Sequence, residues 1–93
     1  TSDNMKIVVK RRGHNQEFDP KKLYASIYAA CITLRMREGQ AELIADNVTK
    51  DVTDDLSHHH QVDSKELVLI VVRYLEQYNS DAAYLYKTHR DIS

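Results

Sequence analysis

Apolar residues recur every three or four positions in four stretches of the chain, the spacing of an amphipathic helix. The four predicted helices cover residues 20–36, 40–56, 64–78 and 81–90. The third stretch has the broadest apolar face, which includes Tyr74, Leu75 and Tyr78. We therefore expect this helix to be the most buried element of the fold.

The residues before the first helix have a different pattern, which predicts a β-hairpin. Residues 6–9 mix β-branched and charged side chains, as a strand at a surface does, and Lys10 and Arg11 continue it. Gly13 can adopt the positive φ that a tight hairpin turn needs, and residues 14–18 form the returning arm.

Polar residues mark where three of the helices begin. Asp19 occupies the N-cap position before Pro20, whose missing N–H costs nothing at the first helical position. Asp63 and Glu66 have the spacing of a capping box. Asn79 ends the third helix and caps the fourth.

Composition indicates one soluble globular domain. A chain of 93 residues can bury a modest core, and no apolar run in it is long enough to span a membrane. The single cysteine, Cys31, excludes an internal disulfide and falls on the apolar stripe of the first helix, so we interpret it as a core residue. The N-terminal residues have no signal or transit character. We expect a disordered tail over residues 1–5, a folded domain over residues 6–91 and a cytoplasmic protein.

The net charge of −1 conceals an uneven distribution. Residues 1–37 carry eight lysines and arginines against three acidic residues, a balance of +5, whereas residues 38–93 carry five against eleven, a balance of −6. A DNA-binding domain usually has a basic excess overall, so this concentration of positive charge favours a small anionic ligand over direct nucleic-acid binding. Electrostatic pairing between the two halves of the fold is the alternative.

Among the cations of the predicted hairpin and first helix, three bear on function. Lys10 and Arg11 are beside the turn, and Lys22 lies in the first turn of the helix, close to free backbone N–H groups. Because of the helix dipole, cations normally occur at the other end of a helix, so this placement is consistent with a bound anion such as a polyphosphate. A solvated lysine on a helix surface is the simpler alternative.

No catalytic arrangement is recognisable in the sequence, and we expect no enzymatic activity. Gly13 and Gly39 are the only glycines, too few for a glycine-rich phosphate loop. His58, His59 and His60 are adjacent, but neighbouring side chains of an extended chain point apart, and no cysteine or further histidine lies at ligand spacing. We therefore do not expect a structural metal.

Two motifs lie in the hairpin and the first helix. They read Val8-x-Lys10-Arg11-x-Gly13 and Phe18-Asp19-x-x-Lys22-Leu23-x-x-x-Ile27. They resemble the opening of the ATP-cone, a nucleotide-sensing module found at the N-terminus of many ribonucleotide reductases. Residues 61–64 and 83–90 are similar to later parts of the same family, so the likeness covers about residues 6–91. It implies an α+β fold, a small four-helix bundle capped by the N-terminal β-hairpin and a third short strand at residues 61–62.

The resemblance also implies a nucleotide site, in which the phosphates meet cations and the base lies between the hairpin and the first helix. The residues that match the nucleotide-contacting positions of the family are Val8, Lys10, Arg11, Gln16, Phe18, Asp19, Lys22, Leu23, Ser64 and Arg90. The implied effector is ATP or dATP with Mg²⁺. Two departures affect the site: Arg12 replaces the common aspartate before glycine, and Gln16 with Glu17 replaces the usual Glu-Pro.

The function implied by this resemblance is that of an allosteric regulatory domain, which controls a ribonucleotide reductase and has the catalytic domain or a neighbouring subunit as its partner. The ending over residues 86–92 is most similar to the anaerobic class. One alternative is the nucleotide-sensing part of a transcriptional repressor of reductase genes, although the chain has no Cys-x-x-Cys pairs for the zinc ribbon of such repressors. Another is a helical interaction module without a ligand.

Overall fold

The computed structural model describes residues 7–92, apart from the side chains of Arg11 and of residues 89–92. Its elements are β1 Val8–Arg11, β2 His14–Glu17, α1 Pro20–Thr33, α2 Glu38–Leu56, β3 Gln61–Asp63, α3 Ser64–Glu76 and α4 Ser80–Ile92. The predicted α+β class, with four helices, a hairpin and a third short strand, is confirmed. The tail expected over residues 1–5 lies outside the described residues.

The three strands form one mixed sheet in the order β2-β1-β3. The hairpin closes at Arg12 and Gly13, and Gly13 has the predicted positive φ, 86°. β3 pairs in parallel with β1, where Val9 lies beside Val62. Because both valines are buried, this side of the sheet faces the helices and contributes to the core.

Asp19 and Asn79 cap helices as predicted. The Oδ1 atom of Asp19 accepts a hydrogen bond from the N–H of Lys21 at 3.0 Å, and Pro20 occupies the first position of α1. Asn79 Oδ1 accepts from the N–H of Ala82 at 3.0 Å. Both helices therefore begin at a residue that satisfies one of their otherwise unpaired donors.

The predicted capping box at the start of α3 is wrong. Asp63 is the N-cap residue, but its side chain makes no capping hydrogen bond among the residues that the structure describes. Asp63 also ends β3, where it lies beside Lys10 of β1, and its side chain is exposed to solvent. The box with Glu66 consequently does not form.

α1 ends at Thr33 rather than near Met36 as predicted, because the chain reverses in a Schellman motif. Arg35 takes the left-handed conformation, with φ 65°, and its N–H donates to the Ile32 carbonyl at 2.8 Å. The N–H of Met36 donates to the Cys31 carbonyl at 3.2 Å. Glycine usually occupies the left-handed position, so the sequence carried no signal for this stop; Gly39 lies inside α2 instead.

The core lies between the sheet and the four helices. Its largest fully buried side chains are Ile27, Ile44, Leu56, Leu75, Val48, Val52, Val71 and Cys31. The prediction that α3 is the most buried element is wrong: α2 has six buried residues and α3 has three, because α2 packs between α1 and α3. Tyr78 is 43% exposed, since α3 ends two residues before it.

None of the described helices combines the length and the apolar character needed to cross a membrane.

Candidate functional site

A crevice opens between the β-hairpin and α1, and α3 and α4 close its far end. It contains about 500 Å³ of space, part of which is open to solvent. Its lining residues are Val9, Gln16, Glu17, Phe18, Asp19, Lys22, Leu23, Ser26, Leu67 and Tyr86. We call it the hairpin crevice.

The floor of the hairpin crevice is apolar and comes from four different elements. Val9 belongs to β1, Leu23 to α1, Leu67 to α3 and Tyr86 to α4, and all four side chains are buried. Phe18, in the link between β2 and α1, is half-buried against the core and lines the same space. A flat aromatic or heterocyclic group entering here would replace water on these surfaces.

The rim of the hairpin crevice is polar. Lys22 is the one cation among the described residues that line it, and Glu17 and Asp19 place carboxylates nearby. Ser26 lies one turn after Lys22, and its Oγ donates to the Lys22 carbonyl at 3.0 Å. The crevice therefore offers an apolar interior with a single described lysine at its edge, next to two acidic groups.

The expectation of free backbone N–H groups beside Lys22 is wrong. Pro20 has no N–H, and that of Lys21 donates to the Asp19 carboxylate. The N–H groups of Lys22 and Leu23 both donate to the Asp19 carbonyl, at 3.1 and 3.2 Å. The cap thus occupies the first-turn donors of α1, and any anion at this end of the helix must be held by side chains.

The ten residues predicted as nucleotide contacts separate into three groups. Five of them line the hairpin crevice together: Gln16, Phe18, Asp19, Lys22 and Leu23. Among the described side chains, Val8, Lys10 and Ser64 lie outside its wall. Strand alternation explains the first two, because Val8 and Lys10 are on the opposite face of β1 from the buried Val9. The side chains of Arg11 and Arg90 lie outside the described part of the chain.

Five lining residues were missed by reasoning from the sequence. They are Val9, Glu17, Ser26, Leu67 and Tyr86. The spacing along the chain could have indicated two of them. Val9 alternates with Val8 along the strand, and Ser26 follows Lys22 by one helical turn. Leu67 and Tyr86 reach the crevice only through the packing of α3 and α4, which no local spacing reveals.

The three adjacent histidines lie apart from the hairpin crevice. His58, His59 and His60 are exposed, and the carbonyl of His60 accepts a hydrogen bond from the N–H of Val8 at 3.1 Å. Among the side chains that the structure describes, no group of three or more acidic, histidine or cysteine residues is arranged to hold a metal ion. The observed role of this loop is to lead the chain into β3.

Comparison with known proteins gives one result that identifies the chain. No curated protein matches it, and no solved structure matches it. The model of the ATP cone domain family matches residues 6–92, which is nearly the whole chain and includes every element of the fold. The protein therefore belongs to the ATP-cone family, whose members are nucleotide-binding allosteric regulatory modules with ATP or dATP as effectors.

Proposed function

We propose that the hairpin crevice is the effector site of this ATP-cone and that it binds ATP or dATP. The observation that carries this proposal is the convergence of a buried apolar floor and Lys22 in one opening between the hairpin and α1. A nucleotide has the matching division into an apolar ring and an anionic tail. The family itself is regulatory rather than catalytic, so the consequence of binding is a change in how the domain meets its partner.

In the proposed pose the base lies against Val9, Phe18 and Leu23, and the phosphates lie towards Lys22. Gln16 is exposed at the rim, where its amide can both donate to and accept from the polar edge of a base. A carboxylate such as Asp19 suits the ribose hydroxyls. Discrimination between ATP and dATP depends on a polar group at this position, because the two effectors differ only by that hydroxyl.

Lys10, Arg11 and Arg90 complete the proposed set of cations around the triphosphate, and Val8 and Ser64 are proposed contacts at its margins. Lys10 and Arg11 belong to the strand that ends at the hairpin turn, and Lys10 is exposed. Because Lys10 lies on the face of β1 opposite the buried Val9, its contact with the phosphates requires the hairpin to move when the nucleotide binds. Since Lys22 is the one described cation on the crevice wall, such movement is part of the proposal.

Mg²⁺ accompanies the triphosphate in this proposal. The carboxylates of Glu17 and Asp19 on the rim are oxygen donors of the kind that Mg²⁺ prefers, and the ion usually keeps several waters and phosphate oxygens. When bound, it neutralises phosphate charge beside these two acidic residues. This resolves the otherwise unfavourable placement of carboxylates next to an anionic ligand.

The regulated enzyme in our proposal is a cytoplasmic ribonucleotide reductase, with residues 6–91 as its regulatory domain. Ordering of the hairpin by nucleotide changes the surface offered to the catalytic domain or a neighbouring subunit, and differential affinity for the two arrangements is what makes the effect allosteric. The support for a reductase of the anaerobic class is the similarity of residues 86–92 to that class.

Two experiments test the two levels of the proposal. Titration of the isotopically labelled chain with ATP and Mg²⁺ should shift the amide resonances of Val9, Gln16, Leu23 and Ser26, and saturable shifts confined to other surfaces would overturn the site.

The reading frame that follows Ser93 in the gene tests the partner. A catalytic domain with redox cysteines and a radical site supports the reductase, whereas a zinc ribbon with Cys-x-x-Cys pairs supports the repressor.

A further inference from the structure

A second groove lies on the other side of α1 from the hairpin crevice. Lys22 and Ser26 face the crevice, whereas Tyr24 and Tyr28, two residues further along a helix of 3.6 residues per turn, face α2. The residues that line this groove are Tyr24, Gly39, Glu42, Leu43 and Asp46. It is open to solvent and contains about 530 Å³. We call it the α1–α2 groove.

The α1–α2 groove offers the half-buried rings of two tyrosines together with exposed aliphatic side chains. The rings of Tyr24 and Tyr28 stack with their centroids 6.3 Å apart and their planes within 8°. Leu43 is 59% exposed, and Ile32, one turn beyond Tyr28, is 37% exposed. Gly39 lines the groove where α2 begins, and the space beside it is open.

The same surface is acidic. Glu38, Glu42 and Asp46 follow one another at four-residue spacing along the edge of α2 that faces the two tyrosines. Burial, followed by the charges of Glu38 and Glu42, raises the pKa of the Tyr28 hydroxyl above its usual 10.0. Lys50 approaches Asp46 at 3.6 Å, but both side chains are more than half exposed and such pairs have little energetic weight.

We propose that the α1–α2 groove docks an arginine-bearing amphipathic segment of another polypeptide. An arginine guanidinium is planar, so it can stack on the Tyr24 and Tyr28 rings while its N–H groups donate to the Glu42 carboxylate. A lysine ammonium has no flat face to stack in this way. An apolar neighbour of that arginine covers Leu43. The acidic edge repels phosphates, so neither a nucleotide nor a nucleic acid fits this groove.

The inference goes beyond nucleotide binding, because it assigns a partner surface on the face of α1 that the effector does not use. It makes α1 a shared element: Lys22 and Ser26 line the hairpin crevice, whereas Tyr24, on which Tyr28 stacks, lines the α1–α2 groove. Whether nucleotide and peptide change each other's affinity can then be measured by adding either ligand first.

A short amphipathic helical peptide with arginine and leucine on one face is the probe. We expect saturable binding that shifts the amide resonances of Tyr24, Tyr28 and Leu43. A peptide with glutamate in place of each arginine should not bind. Leu43→Ala should weaken binding, whereas Leu69→Ala on α3, where the side chain is also 59% exposed, should not. Glu42→Lys should weaken binding about tenfold or more, whereas Glu76→Lys, at another exposed glutamate, should leave it unchanged.

Several results would overturn the proposal. They are no binding of the arginine peptide, equal binding of the glutamate peptide, shifts confined to the hairpin crevice, or equal losses in Glu42→Lys and Glu76→Lys. Sedimentation that shows only self-association of the chain through this surface would overturn it as well. Failure of ATP to bind leaves the peptide result unchanged, since the two openings lie on different sides of α1.

Discussion

Val9 lies opposite Gln16 in the antiparallel pair of β1 and β2, and both side chains line the hairpin crevice. Val9 is 4% exposed and forms part of the floor, whereas Gln16 is exposed at the rim. β1 is the central strand, held by β2 on one side and β3 on the other. The apolar floor at Val9 is therefore preorganised, and the movement that we propose concerns the hairpin beyond it, at Lys10, Arg11 and the turn.

The width of the hairpin crevice can be tested by filling it. Ser26 is half-buried on its wall, and Ala25, the preceding residue of α1, is exposed. We expect Ser26→Phe to abolish ATP binding in calorimetric titration because the ring occupies the space of the base. Ala25→Phe should bind ATP as the wild type does. Equal affinity of the two variants would show that the nucleotide binds elsewhere.

The cap of α1 contributes to stability independently of the ligand. Asp19 Oδ1 accepts from the N–H of Lys21 at 3.0 Å. Asp19→Ala should lower the free energy of unfolding by about 1 kcal/mol in urea denaturation, whereas Asp19→Asn, which keeps an acceptor oxygen, should lose less. Equal losses for alanine and asparagine would mean that the capping bond is not what the aspartate contributes.

α2 and α3 are joined by a hydrogen bond whose strength depends on pH. Tyr74 Oη donates to Asp55 Oδ2 at 3.3 Å. Burial, together with the charge of Asp55 and this bond, raises the pKa of Tyr74 above 10.0. The folded state thus holds the Tyr74 hydroxyl proton more tightly than the unfolded state. The stabilisation linked to this proton is therefore complete below pH 10 and is lost as the pH rises above 10.

Tyr74→Phe should therefore be less stable than the wild type at pH 7, and the difference should shrink above pH 10. Urea denaturation across this pH range measures both effects. Tyr84 is 72% exposed, so Tyr84→Phe serves as the control. It should change neither the stability at pH 7 nor the way stability depends on pH. A difference between the wild type and Tyr74→Phe that stays constant up to high pH would contradict the assignment.

Cys31 should behave as a core residue and not as a reactive thiol. Its side chain is fully buried on α1, and burial raises the pKa of the thiol, so little thiolate is present at neutral pH. We expect a thiol reagent to label it only after denaturant is added, at a rate that follows global unfolding. Rapid labelling of the native protein would show that α1 opens locally.

Local chemistry made much of the fold predictable. Gly13 specified the hairpin turn, and Asp19 with Pro20 specified the start of α1, because each of these conformations depends on one or two neighbouring residues. The end of α1 was not predictable, since Arg35 takes a left-handed conformation that its residue type does not favour. Burial was also misjudged, because α2 owes its central place to packing and not to its own composition.

The candidate site was predictable where it is local in sequence. Phe18, Lys22 and Leu23 come from one continuous run, and they meet in the hairpin crevice. Leu67 and Tyr86 come from distant helices, so their contribution depends on the tertiary arrangement alone. The same limitation explains the α1–α2 groove, which exists only once α2 packs beside the tyrosines of α1.

The central claim is that the cation of the hairpin crevice attracts the phosphates of ATP. Lys21 and Lys22 are adjacent, exposed lysines in the first turn of α1, but Lys22 alone of the two lines the crevice. Calorimetric titration with ATP and Mg²⁺ should show about tenfold weaker binding for Lys22→Ala, since a charge-assisted hydrogen bond is lost, and wild-type affinity for Lys21→Ala. Unchanged affinity in Lys22→Ala, or the same loss in both variants, would contradict the account.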